Sequence, residues 1–168
     1  MKVYLGKDKD ERFEGRSASE SVVLHLAKHV KGKGHSLFMD NFFSTLRLFL
    51  ELRNNYKINC CGTVQIRQKD LPKDLTARKA GDLDMKYSNG LTVACWKDKR
   101  EVYVLSSMHE RDSELLPVMN NCERTSKPAL IHDYNKNMGY VDLSDRMANS
   151  YGFSRKSQKW TKKLFSIS

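Results

Sequence analysis

The stretch His35-Ser36-Leu37-Phe38-Met39-Asp40-Asn41-Phe42-Phe43-Ser44-Thr45 decides the fold. The short apolar run His35–Met39 has the length of a buried strand and ends on a carboxylate, Asp40. Ser44 stands where a helix cap would, ahead of Leu46, Phe49, Leu50 and Arg53 at helical spacing. On the N-terminal side, Ser17 and Glu20 have capping-box spacing, and Val22, Val23, Leu26 and Val30 form the apolar repeat of a helix closed by Gly32 and Gly34. Further back, Val3 and Leu5 alternate with Lys2 and Tyr4 as the end of a strand, and a polar loop covers Asp8–Gly15. On the C-terminal side Tyr56–Ile66 is rich in β-forming residues. The first 66 residues thus alternate strand, helix, strand, helix, strand, which predicts an α/β sheet with helical crossovers.

The middle reads differently. Residues 67–81 are polar and contain Pro72 and Gly81. Asn89-Gly90 then lies between two β-like runs, the strongest local hairpin signal. Leu91–Trp96 is one arm, Lys97–Arg100 a second turn, and Glu101–Ser106 a further alternating strand. These predict a small antiparallel β insertion over 67–108, between a core segment 1–66 and a closing segment 109–168. Within the latter, Pro117 and Pro128 mark a loop. Leu143, Met147 and Tyr151 recur every four residues in a helix from about Gly139 that Gly152 stops, and Ser154–Phe165 begins another.

Composition narrows the class. With 168 residues, 39% hydrophobic and 30% charged, the chain fits one globular domain and not a disordered segment. No apolar run nears the roughly 18–20 residues that span a bilayer, and the first residues lack a signal-peptide stretch, which points to an intracellular protein without a membrane partner. Cys60, Cys61, Cys95 and Cys122 include no C-x-x-C pair, and the adjacent Cys60 and Cys61 would point to opposite faces of a strand. They read as buried or partly buried thiols in a reducing compartment. His25 and His29 are four apart with no third ligand in sight, and His35, His109 and His132 stand alone. Phosphate-loop, nucleophile-elbow and H-E-x-x-H motifs are absent.

Three groups of residues carry possible chemistry. Asp40 lies at a strand end, where α/β folds place their sites, although a carboxylate there also caps a helix. Asp142 and Asp145 are three apart and share a helix face. They fit two metal ligands or, more plainly, two acids near a helix start. After Asp145 no acid occurs, while Arg146, Arg155, Lys156, Lys159, Lys162 and Lys163 supply six cations of a net charge of +10. That one-sided cluster suits DNA, or a solvated tail, and Trp160 within it suits base stacking or a core anchor.

These features, read as text, resemble one family. His35–Thr45 resembles the D-N-F-F-T-S block of piggyBac-type transposases, and Cys61-Gly62-Thr63-Val64 its T-G-T-V strand, with Leu71-Pro72 closing the block. Trp96–Arg100 with Val102–Ser106 resembles the W-x-D-x-K-x-V-x-x-L-S strand pair. Lys127-Pro128, followed by Asp133-Tyr134-Asn135-Lys136-Asn137-Met138-Gly139-Tyr140-Val141-Asp142-Leu143-Ser144-Asp145-Arg146-Met147, resembles the family's K-P and D-Y-N-K-x-M-G-G-V-D-x-x-D-Q-M signature. Arg155-Lys156 and Lys159–Phe165 resemble the R-K-x-x-K-W-W-K-K-L-F run. The match runs in order along essentially the whole chain.

The resemblance implies an RNase H-like fold: a mixed sheet with flanking helices, interrupted by a β insertion and incomplete at both ends. It makes Asp40 the second catalytic aspartate, Asp142 the third, and Asp145 the additional one on the same helix. It implies two Mg2+ (or Mn2+) ions in the intact parent, held by these three residues. Such enzymes cut a strand at each transposon end with water. The freed 3′-hydroxyl then forms a hairpin on the element, which is joined to a TTAA target. DNA is therefore the expected partner, with Arg155, Lys156, Lys159, Trp160, Lys162 and Lys163 as contacts. A homodimer of the intact parent and a nuclear location are expected as well. The first catalytic aspartate would precede the segment matching Val3–Lys7, so this chain carries three of the four carboxylates and is expected not to cleave alone. A non-catalytic DNA-binding protein derived from a transposase is the alternative. Two departures stand out: Tyr140 replaces the second Gly of M-G-G, and Arg146 replaces the usual Gln.

Overall fold

A computed structural model describes residues 15–109, 115–120 and 123–150. The expected strand over residues 1–7, the loop after it and the basic segment from Tyr151 onward lie outside the described residues. The chain divides into two compact units, residues 1–136 and 137–168. Each is taken by itself.

The first described element of the first unit is α1 (Ala18–Ala27). Its start follows the capping box: Glu20 N donates to Ser17 Oγ at 3.2 Å, and Ser17 N donates to Glu20 Oε2 at 3.1 Å. A 3-10 turn, Lys28–Val30, ends the helix, and Gly32 and Gly34 follow with φ of 70° and 74°, as expected of glycines that reverse the chain.

The strand β1 (Ser36–Met39) leads to α2 (Leu46–Glu51). The cap of α2 is Thr45, not Ser44: Leu48 N donates to Thr45 Oγ1 at 3.2 Å. Ser44 Oγ instead donates to the Asp40 carbonyl at 2.9 Å and so tightens the turn after β1. The face of α2 and its continuation that enters the core is Leu48, Phe49 and Leu52, each fully buried.

The expected strand Tyr56–Ile66 is shorter than its composition suggests. Residues Leu52–Tyr56 extend α2 as a π turn, which Lys57 ends with φ 56°, and β2 is only Asn59–Thr63. Tyr56 is buried on the end of the helix, so its β propensity is overridden by packing.

The hairpin falls where Asn89-Gly90 places it. β3 (Leu83–Ser88) and β4 (Leu91–Lys97) pair in register around two residues of positive φ, 52° and 74°, as a two-residue hairpin loop requires. β5 (Glu101–Ser106) returns along β4 and also pairs with β2, so one five-stranded sheet results, in the order β1-β2-β5-β4-β3. β1 and β2 are parallel and the remaining pairs antiparallel. The hairpin strands therefore extend the same sheet as the β1–β2 core.

Both sheet faces are covered, and strand alternation sorts side chains between them. Cys60, Cys95, Val93 and Leu105 join Leu24, Leu48 and Phe49 in one apolar cluster. Cys61, Ala94, Trp96 and Val104 join Leu130 and Ile131 in the other. Adjacent Cys60 and Cys61 thus do point to opposite faces.

Two expectations fail beyond residue 109. The segment around Pro117 and Pro128 is not a loop but a two-stranded antiparallel ribbon, β6 (Leu115–Asn120) with β7 (Glu123–Pro128). Each strand of a two-stranded ribbon has an unpaired edge, where a proline without an N–H is tolerated. The following helix, α3, spans Ala129–Ser150 and begins ten residues before Gly139. Its first turns are held by burial of Leu130 and Ile131, which a polar run through Lys136 obscures in the sequence.

Candidate active site

Asp40 sits just past the C-terminal end of β1, exposed, in the turn before α2. Glycine makes this position possible. A Cβ on Gly62 would collide with Ser44 Oγ and lie 2.6 Å from the Met39 carbonyl, so only Gly lets the turn press onto β2. The parallel register pairs Met39 with Gly62, which brings the next residue, Thr63, beside Asp40.

The Asp40 carboxylate is held on one side. Oδ1 accepts from Asn41 N at 2.6 Å and lies 3.5 Å from the Thr63 hydroxyl. Thr63 Oγ1 in turn lies 3.2 Å from the hydroxyl of Tyr134, in α3. Burial raises the pKa of Tyr134; the bond to Thr63 opposes this, and the nearby charge of Asp40 reinforces it. The phenol therefore keeps its proton at neutral pH. Among the described residues none donates a hydrogen bond to Oδ2.

A second polar cluster lies in the same unit, and the sequence did not reveal it. Ser106 Oγ is 2.7 Å from His109 Nδ1, and His109 Nε2 is 3.1 Å from Asp133 Oδ2. His132 Nδ1 is 3.5 Å from Asp133 Oδ1. A serine, histidine and carboxylate in line suggest nucleophilic catalysis, but Ser106 is fully buried and its oxygen also accepts N–H groups from Met108 and His109. The cluster is a latch between the end of β5 and the start of α3. Burial pushes Asp133 up, but the hydrogen bonds and charges of His109 and His132 outweigh it and hold the carboxyl below its usual range.

In the second unit, Asp142 and Asp145 are exposed on α3. Arg146 Nε donates to the Asp142 carbonyl at 3.4 Å, so its guanidinium is turned to the backbone near the acids. Tyr140, Leu143 and Met147 are exposed there as well. The predicted contacts Arg155, Lys156, Lys159, Trp160, Lys162 and Lys163 lie outside the described residues. Among the described residues, no three His, Cys, Asp or Glu side chains form a group able to hold a metal ion. Within the first unit, Asp40 thus stands at the end of β1 without two further such side chains grouped with it among the described residues.

A family model described as Transposase IS4 matches residues 1–167. The chain belongs to this transposase family. It is also similar to a solved structure, the cryo-EM structure of a piggyBac transposase synaptic complex with hairpin DNA, at 30% identity and a TM-score of 0.77. That match covers 96% of this chain and 33% of the other, so the transposase domain described here spans about a third of the length of that relative. The mixed sheet with flanking helices is the RNase H-like fold of a transposase catalytic domain, as the resemblance implied.

Proposed function

We propose that this domain supplies carboxylates for metal-dependent cleavage and transfer of DNA strands, with Asp40, Asp142 and Asp145 as metal ligands. The observation that carries the reading is the family match along the whole chain, together with Asp40 at a strand end with one oxygen that accepts no hydrogen bond from the described residues. The donor set suits Mg2+ or Mn2+, because all three ligands are hard oxygens and magnesium usually takes only one or two carboxylates beside phosphate and water. Such ions activate the attacking oxygen and stabilise the leaving one.

The chain's own residues have distinct tasks in this reading. Asp40 offers Oδ2 to the metal while its other oxygen is held by Asn41 and Thr63. Asp142 and Asp145 contribute charge from α3. Arg155, Lys156, Lys159, Lys162 and Lys163 meet phosphates, and Trp160 stacks on a base. The solved relative is a complex with hairpin DNA, which supports DNA as the partner; the nucleus is the place of action in this proposal. No residue here matches the family's first carboxylate, so the 168-residue chain alone binds DNA without cutting it.

The test is duplex binding by the chain across a range of salt, with a nicking assay in Mg2+ alongside. Each phosphate contact adds about 0.9 to the negative slope of log affinity on log salt, so a steep slope without nicking is expected. Absent or salt-insensitive binding contradicts the proposal. Metal-dependent nicking contradicts the part that makes the isolated chain inactive. A purely DNA-binding role, favoured by the acid-free basic stretch after Asp145, predicts the same slope but no metal binding at Asp40.

A further inference from the structure

We propose that Thr63 and Tyr134 are positioning residues for Asp40, a two-hydroxyl relay that fixes which carboxylate oxygen faces a bound metal. The proposal rests on Asp40 being a metal ligand and adds two residues to that site.

The direction of the relay follows from donor inventories. An ionised carboxylate only accepts, and a threonine hydroxyl carries a single proton. Tyr134 retains its proton, so its hydroxyl donates to Thr63 Oγ1 across 3.2 Å, leaving the Thr63 proton to point at Asp40 Oδ1, 3.5 Å away. With Asn41 N at 2.6 Å, both donors to Asp40 among the described residues converge on Oδ1. Oδ2 is left as the ligand oxygen. The Thr63–Asp40 step is the longest of the three.

The fold fixes the relay from both ends. Thr63 is the last residue of β2 and pairs with Val104 of β5, so its backbone is set by the sheet. Tyr134 is half-buried against the cluster of Cys61, Trp96, Leu130 and Ile131. Tyr134 thus links the packing of the first turns of α3 to the orientation of a carboxylate on the far end of β1. Outer hydrogen-bond partners of metal ligands typically change affinity by about 10–100-fold when removed.

The 168-residue chain tests this in four forms: wild type, Thr63→Val, Thr63→Ser and Tyr134→Phe. Two readouts are taken, Mn2+ affinity by calorimetry and, without metal, the Asn41 amide proton by NMR. Thr63→Val and Tyr134→Phe are expected to weaken Mn2+ binding about tenfold. Both should also shift the Asn41 amide as Oδ1 is released, while Thr63→Ser stays near wild type in both readouts. Mn2+ binding that ignores Thr63 and Tyr134, with the Asn41 amide unmoved, overturns the relay and leaves Asp40 as a ligand. A wild-type chain that binds no Mn2+ overturns the ligand reading itself, and the relay's purpose with it.

Discussion

Thr45 Oγ1 donates to Glu20 Oε1 across 2.6 Å and ties the N-terminus of α2 to that of α1. Glu20 is buried and already closes the capping box of α1, while Thr45 is the cap of α2, so one carboxylate serves two helix starts. Replacing Glu20 with Ala removes a charged acceptor from both, and should lower stability by about 2–3 kcal/mol in denaturant unfolding.

The same carboxylate gives the fold an acid sensitivity. Burial raises the Glu20 pKa, but hydrogen bonds from Thr45 and Ser17 and the charge of Arg16 outweigh it, so the folded value lies below the ordinary one. Its contribution is therefore complete above the ordinary glutamate pKa and disappears as pH falls through the depressed folded value. Melting temperatures measured from neutral pH downward should fall less steeply for Glu20→Gln than for wild type.

Asp133 behaves in the same sense through the His109 latch. Its folded pKa is also depressed, so the stability it supplies is present above the ordinary aspartate value and lost below it. His109→Ala should lower the melting temperature at neutral pH, because Ser106 Oγ and Asp133 both lose a partner.

Gly62→Ala and Gly139→Ala should act in opposite directions. A Cβ at Gly62 meets the Met39 carbonyl at 2.6 Å, which should cost about 1–3 kcal/mol or force the Asp40 turn off β2. A Cβ at Gly139 meets nothing within 4 Å, and alanine there should strengthen α3 by about 0.5–1 kcal/mol, read as helicity by circular dichroism.

Cys60 and Cys61 should resist thiol reagents in the folded chain. Burial pushes both thiols up to about 12, so almost no thiolate exists at neutral pH. Labelling at these positions should begin only with unfolding.

What the sequence disclosed was local. The Ser17–Glu20 capping box, the Asn89-Gly90 hairpin and the opposite faces of Cys60 and Cys61 depend on near neighbours, and each is found as expected. What it hid was set by distant packing. Burial of Tyr56 turned a β-rich run into the end of a helix, and burial of Leu130 and Ile131 started α3 ten residues early. Docking of β5 against β2 merged the hairpin with the core sheet. The surroundings of Asp40 were hidden for the same reason: Thr63 and Tyr134 lie 71 positions apart along the chain and meet only in the fold. His109 and Asp133, 24 apart, likewise look solitary until folded.

The most direct test of the central claim is Mn2+ titration of the chain by calorimetry, repeated with Asp40→Asn and Asp142→Asn. Saturable binding that either substitution abolishes is the predicted result, and would identify both residues as ligands. Binding that survives both, or no binding by the wild type, would contradict the metal-ligand assignment.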